Sequence, residues 1–147
     1  MKLKTKEQII DETFNFYNKN PKKRRAVAKK EAYEEAGCVY NGPGNTHCAI
    51  GRLFIDEYKN QGESLEHNEL GVSSLESYNM KLDLMLKPSY SGHSLHFWID
   101  LQSLHDNEDY WYADKATDEG HAWKRTLHRK WDKEPGIGSL KQQKGTR

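Results

Sequence analysis

The stretch that decides the fold runs from residue 37 to residue 55 and reads GCVYNGPGNTHCAIGRLFI. Its centre, residues 41–45, contains two glycines, two asparagines and a proline. These residue types favour tight turns, because glycine and asparagine tolerate positive φ and proline fixes φ near the turn value. The sequence therefore predicts a turn at this point of the chain.

The residues on either side of the turn allow two interpretations. In the first, residues 38–40 and 47–50 pair as a β-hairpin, which would bring Cys38 and Cys48 close together. In the second, Cys48 begins a helix that continues through the apolar residues up to Phe54. We favour a short hairpin that runs into a helical turn.

Helical signals precede and follow this stretch. Thr5 and Gln8 have the spacing of a capping box, and apolar residues then recur at helical spacing, so we expect a helix over residues 6–19 that ends at Asn20-Pro21. Residues 22–36 are interpreted as a loop followed by a short helix. Residues 93–106 carry a wide apolar stripe, which is typical of a core helix.

The C-terminal part of the chain predicts one more helix. Apolar residues recur every four positions, at Trp123, Leu127 and Trp131. A potential cap at Asp118 precedes them, and Pro135 with Gly136 would end the helix. The resulting prediction is a mostly helical α+β fold with a short β-hairpin near residues 38–50. Residues 1–135 are expected to form a single globular domain, and residues 136–147 a flexible basic tail.

Composition excludes several classes of protein. The chain has 147 residues and a mean hydropathy of −1.04, and it contains no apolar run long enough to span a membrane. Its basic N-terminus lacks the apolar segment of a secretory signal, and two cysteines are too few for a disulfide scaffold. These features predict a cytoplasmic protein with reduced thiols.

Charge is distributed unevenly, although the net charge is only +1. Residues 19–30 hold seven bases and no acid, residues 56–119 hold fourteen acids and four bases, and residues 124–147 hold eight bases and two acids. Such runs are typical of solvated faces that attract each other within the fold, and they also suit a nucleic-acid patch. The candidate residues for that patch are Lys22, Lys23, Arg24, Arg25, Lys124 and Arg125.

Cys48 is the candidate nucleophile. If it stood at a helix N-terminus, the backbone N–H groups would lower the pKa of its thiol. His105 is then the candidate base and Asp106 the residue that orients it. The alternative interpretation is that Cys48 is a small core residue and that His105 and Asp106 stabilise a helix end.

The sequence offers residues for two further kinds of site. Cys38, His47, Cys48 and a histidine at 93 or 96 offer zinc-binding atoms, but their spacing matches no common zinc framework, so we assign no metal and no cofactor. The four tryptophans suit either a stacking platform for nucleotides or a core. The candidate binding residues are Tyr40, Asn41, His47, Arg52, Trp98 and Trp111.

Two motifs resemble a loose group of small proteins encoded by bacteriophages and integrated elements. Chains of that group carry C-x-Y-x-G-P-x-G, then C-A-[IV]-G-x-L, and later F-x-x-L-Q-x-x-H-D. Here the first two motifs begin at Cys38 and Cys48, and the third reads FWIDLQSLHD over residues 97–106, one residue longer between Phe and Leu-Gln. The resemblance covers residues 24–58 and 95–111.

The resemblance implies a phage accessory protein that acts in the cytoplasm of a bacterial host. Such proteins often work by binding, so the leading hypothesis is a non-enzymatic binding module for a host or defence protein or for a small nucleotide-like ligand. The alternatives are a thiol-dependent hydrolase or transferase that uses Cys48 with His105, and a nucleic-acid-binding protein. The oligomeric state stays open.

Overall fold

A computed structural model describes residues 2–28, 37–68, 70–75 and 81–131. In these ranges the chain forms seven α-helices: α1 (Lys6–Asn18), α2 (Pro21–Arg24), α3 (Asp56–Lys59), α4 (Val72–Leu75), α5 (Leu82–Met85), α6 (Leu95–Asp106) and α7 (Asp118–Trp131). It also forms four strands of two residues: β1 (Val27–Ala28), β2 (Gly37–Cys38), β3 (Asn41–Gly42) and β4 (Thr46–His47). The fold is therefore a small, mostly helical α+β structure, as the sequence predicted.

The first helix begins and ends close to its predicted bounds. Thr5 accepts a hydrogen bond from the backbone of Gln8, and the Gln8 side chain accepts one from the backbone of Thr5, which confirms the capping box. Asn20 and Pro21 have a second role that the sequence analysis missed. Asn20 caps α2 and Pro21 occupies its first turn, where the absent N–H has no helical partner in any case.

The hairpin is confirmed, but its first strand starts three residues later than predicted and its second strand one residue earlier. Asn41 pairs with His47 and Gly42 pairs with Thr46, and the turn between them includes positive φ angles at Gly44 and Asn45. Cys38 pairs instead with Val27 in a separate two-stranded sheet, so it does not lie across the hairpin from Cys48. A 3-10 turn over Gly51–Leu53 follows, which is the predicted helical turn.

Helix α6 begins at Leu95 because the Ser94 side chain accepts a hydrogen bond from the Phe97 backbone. The prediction that Asp118 caps α7 is wrong by one residue, since Thr117 accepts the hydrogen bond from the backbone of Gly120. The predicted end of this helix at Pro135 and the predicted tail over 136–147 lie outside the described residues. The predicted loop and short helix over residues 22–36 lie partly outside them.

Helices α1 and α7 run antiparallel and pack with α6 around the core. His128 contacts Asp11 near the middle of α1, and His121 packs on Phe14 one turn further along it. The segment that follows the hairpin, residues 48–54, places its apolar side chains in the same hydrophobic cluster. The largest fully buried side chains are Trp98, Tyr17, Phe14, Phe54, Phe97, Ile9, Ile10, Ile50, Leu53, Leu86 and Leu101. Among the described residues, no helix has the length and apolar character needed to cross a bilayer.

Candidate functional site

The motif that begins at Cys48 and the motif that ends at Asp106 meet in the fold. Gln102 Oε1 accepts a hydrogen bond from the Ile50 N–H at 3.4 Å, and Gln102 Nε2 donates to Asp106 Oδ1 at 2.8 Å. His105 Nδ1 lies 2.8 Å from the same Asp106 oxygen. We call Cys48, Gln102, His105 and Asp106 the motif junction. It joins the hairpin turn to the C-terminal end of α6.

Both ring nitrogens of His105 form hydrogen bonds. Its Nε2 accepts a hydrogen bond from the Ala26 N–H at 3.0 Å, which leaves Nδ1 as the protonated nitrogen that donates to Asp106. The ring is fully buried and packs edge-on against Tyr17. Burial lowers the pKa of His105, although Asp106 opposes that change. His105 is therefore a neutral imidazole that fastens the start of β1 to α6.

Cys48 is buried with 0% of its surface exposed. Its Sγ accepts a hydrogen bond from the Gly51 N–H at 3.2 Å, and burial raises the pKa of the thiol to about 12. This is the reverse of the low pKa that a thiolate nucleophile needs. The orienting half of a triad is present in Asp106 and His105, but the His105 nitrogen that would activate a thiol is bonded to Ala26.

Arg25 completes the motif junction in a way that sequence reasoning missed. Its Nε donates to the His105 carbonyl oxygen at 2.7 Å and its Nη2 to the Asp106 carbonyl oxygen at 3.3 Å. These are among the last carbonyls of α6, which have no partner within the helix, and a cation there also suits the helix dipole. Nothing in the local sequence of Arg25 signals this contact across 80 residues.

A second polar network holds the hairpin. His47 Nδ1 lies 2.8 Å from Asn41 Oδ1, and Asn41 Nδ2 donates to the Tyr58 carbonyl oxygen at 2.9 Å. Asn68 exchanges two hydrogen bonds with the Asn41 backbone. Burial and nearby Lys59 lower the pKa of His47. Two candidate binding residues, Asn41 and His47, thus meet here, and Asn68 joins them although its sequence context gave no signal.

The aromatic candidates lie in the core. Trp98 is 1% exposed, and Trp111 is 7% exposed with its Nε1 donating to the Leu104 carbonyl oxygen. Tyr40 is buried and packs on Phe54. The structure places these rings where an exposed base could not stack on them, so their arrangement fits the core interpretation.

Some residues of the candidate nucleic-acid patch make contacts within the fold, and the others are exposed. Arg24 lies over the Phe16 ring and donates to its carbonyl oxygen, and Lys124 pairs with Asp11 at 3.5 Å. With Arg25 bound to α6, half of the six basic residues make contacts within the fold. Lys22, Lys23 and Arg125 are exposed.

The candidate zinc residues have other partners in the structure. His47 bonds Asn41, Cys48 bonds Gly51, and His93 Nε2 lies 2.9 Å from the Lys4 carbonyl oxygen. Across the described ranges, no group of three or more histidine, cysteine, aspartate or glutamate side chains is placed to hold a metal ion.

An acidic surface covers the turn between α6 and α7. We define the acidic rim as the five exposed carboxylates of residues 108–119, a segment that also carries the exposed Tyr112: Glu108, Asp109, Asp114, Asp118 and Glu119. In the part of the chain that the structure describes, no cation forms an ion pair with these carboxylates. Lys115 lies between them in the chain, and the backbone of Lys22 donates to the Ala113 carbonyl oxygen at its border.

Comparison of the chain with protein-family models, with curated proteins and with solved structures finds no match.

Proposed function

We propose that this protein is a non-enzymatic binding module that contacts a basic surface of a partner protein through the acidic rim. The resemblance to bacteriophage-encoded proteins supports a host or defence protein of the bacterial cytoplasm as that partner. Complementary charge would speed their encounter, and a desolvated aromatic ring would hold the complex.

The observation that carries this proposal is the rigid presentation of Tyr112 among carboxylates. Tyr112 is 57% exposed, whereas most large apolar side chains of the described chain are buried. Its loop is fixed by the bridge between Trp111 and Ala116 and by the hydrogen bond from the Tyr112 N–H to the Lys115 carbonyl oxygen at 2.8 Å. A rigid loop loses little conformational entropy on binding, which favours affinity.

The placement of the reactive side chains also supports a binding role. Cys48 and His105 both form hydrogen bonds that stabilise the motif junction. Neither ring nitrogen of His105 is directed at the Cys48 thiol. The acidic rim instead presents exposed carboxylates that form no ion pair among the described residues. Surface charge and an exposed aromatic ring are what recognition of a protein requires.

The test compares two matched triple variants of the immobilised protein in a bacterial extract. The rim variant carries Glu108→Gln, Tyr112→Ser and Asp114→Asn. The control variant carries Glu57→Gln, Glu63→Gln and Leu84→Ser, which also removes two exposed carboxylates and one exposed large apolar side chain. We expect the wild type and the control to retain the same stoichiometric partner, and the rim variant to lose it.

The partner is then purified and titrated by calorimetry at two salt concentrations. We expect the rim variant to bind at least about tenfold more weakly, since one aromatic hot spot alone contributes roughly 2 kcal/mol. Affinity of the wild type should fall as salt rises. Equal binding by the rim variant would exclude the acidic rim, and turnover of a substrate by the purified chain would exclude a purely binding role.

A further inference from the structure

Three cationic residues, Arg52, Lys59 and Lys87, lie near one another along a short strand-like pairing. Phe54 forms an antiparallel bridge with Leu86, and the Lys87 N–H donates to the Leu53 carbonyl oxygen at 2.8 Å. Lys87 therefore lies opposite Leu53, the residue that follows Arg52. Lys59 lies one helical turn beyond the same bridge, with its N–H donating to the Ile55 carbonyl oxygen.

The charges of this group are close enough to repel one another. Partial burial lowers the pKa of Lys59, and the charges of Lys87 and Arg52 lower it further, while Asp56 opposes them. In the described residues, no carboxylate forms an ion pair with Lys59 or Lys87. Among the described residues, the fold therefore holds Lys59 and Lys87 near Arg52 without an ion pair from either lysine to a carboxylate.

Two of the three guanidinium nitrogens of Arg52 have partners among the described residues, and the third has none. Its Nη1 lies 3.1 Å from Glu12 Oε1 and its Nη2 donates to Thr13 Oγ1 at 3.3 Å. Its Nε is buried and has no hydrogen-bond partner among the described residues. A buried N–H without a partner costs free energy, and an anion acceptor would remove that cost.

The sequence context makes this convergence informative. Residues 56–119 contain fourteen acids and only four bases, and two of those four, Lys59 and Lys87, belong to this group. In a segment with a charge of −10, an ordinary solvated surface would place its few lysines beside carboxylates.

We propose that Arg52, Lys59 and Lys87 together bind the phosphate group of a small phosphorylated ligand. A phosphate offers three strong acceptor oxygens, which suit a guanidinium N–H and two mobile ammonium groups. The site is separate from the acidic rim, so it adds a ligand to the protein-binding role and does not depend on it.

The test is an NMR titration of the isotopically labelled full chain with inorganic phosphate at constant ionic strength. We expect saturable shifts of the backbone amides around Arg52, Lys59 and Lys87. Lys59→Gln or Lys87→Gln should weaken the affinity about tenfold, since a charge-assisted hydrogen bond is lost, and Lys59→Arg should retain it. Lys81→Gln and Lys115→Gln are the controls, because they remove the other two bases of the same acidic segment.

A second series compares a nucleoside monophosphate and a sugar phosphate with their unphosphorylated forms. Binding of only the phosphorylated compounds would support the proposal, and the tighter of the two would identify the ligand class. The proposal would be overturned by the absence of saturable shifts, by equal shifts with chloride, or by unchanged affinity in both Lys59→Gln and Lys87→Gln.

Discussion

At the scale of single residues, Gly51 explains why the C-A-I-G motif needs a glycine. A Cβ atom on Gly51 would lie 2.1 Å from the Tyr40 carbonyl oxygen, far inside contact distance, and that oxygen also accepts the Cys48 N–H. We therefore expect Gly51→Ala to lower the free energy of unfolding by about 3 kcal/mol, because backbone must move to relieve the clash. Urea denaturation followed by tryptophan fluorescence measures this change.

Gly71→Ala is the matched control for this substitution. Gly71 is exposed, and a Cβ added there meets nothing within 4 Å. The control should leave stability unchanged or raise it slightly, since alanine restricts the unfolded chain. Similar urea midpoints for the two variants would show that the tight approach between Gly51 and Tyr40 is absent in solution.

The residue scale also shows where sequence reasoning stops. The turn around Pro43 could be predicted because turn residues act through their own backbone preferences. The state of Cys48 could not, because its raised pKa comes from burial under residues that are distant in the chain. The same sequence pattern is compatible with a reactive thiol or a core thiol, and only packing decides between them.

At the scale of elements, the starts of α1, α6 and α7 were predictable to within two residues, whereas the capping residue was predicted correctly only for α1. Thr5 is an unambiguous cap, whereas Thr117 and Asp118 are both good capping types placed side by side. A tertiary contact distinguishes them, since Thr117 Oγ1 donates to the Asp109 carbonyl oxygen at 2.6 Å while accepting the Gly120 N–H at 3.1 Å. That contact depends on the turn before α7.

We expect Thr117→Ala to destabilise the protein by about 1–2 kcal/mol, because it removes the cap of α7 and leaves the Asp109 carbonyl oxygen without this donor. Thr117→Ser keeps the hydroxyl and should retain most of the stability. The measurement is the midpoint of thermal unfolding by circular dichroism.

Thr126→Ala controls for the loss of a threonine in the same helix. Thr126 donates to the Ala122 carbonyl oxygen in the helix interior, so alanine should be neutral or mildly stabilising there. If Thr117→Ser were as unstable as Thr117→Ala, the hydroxyl would not be the stabilising group and the cap assignment would be wrong.

At the scale of the whole molecule, the fold class followed from the sequence but the contacts between distant elements did not. Periodicity predicted α1, α6 and α7 as separate helices. The meeting of Arg25 with the end of α6, and of Asn68 with Asn41, joins residues that no local pattern connects. The motif junction shows that the two motifs share a structural role, which neither motif revealed alone.

Three buried histidines give the whole molecule a defined response to acid. Burial lowers the pKa of His47, His93 and His105, and for His93 the value falls from 6.5 to about 4, with Lys6 adding to the effect. Between these values the unfolded chain binds more protons than the folded one. Stability is then fully present above pH 6.5 and is lost as the pH falls through the folded pKa.

We expect His93 alone to lower the free energy of unfolding by about 2 kcal/mol between pH 7 and pH 4.5, since one pKa unit corresponds to 1.36 kcal/mol. Urea denaturation at a series of pH values measures this slope. His93→Gln should flatten the slope, because glutamine can still donate to the Lys4 carbonyl oxygen but does not titrate. His96→Gln, an exposed position on α6, should leave the slope unchanged. Equal slopes in the wild type and His93→Gln would mean that His93 is protonated as readily in the folded protein as in the unfolded chain, and that the acid response has another source.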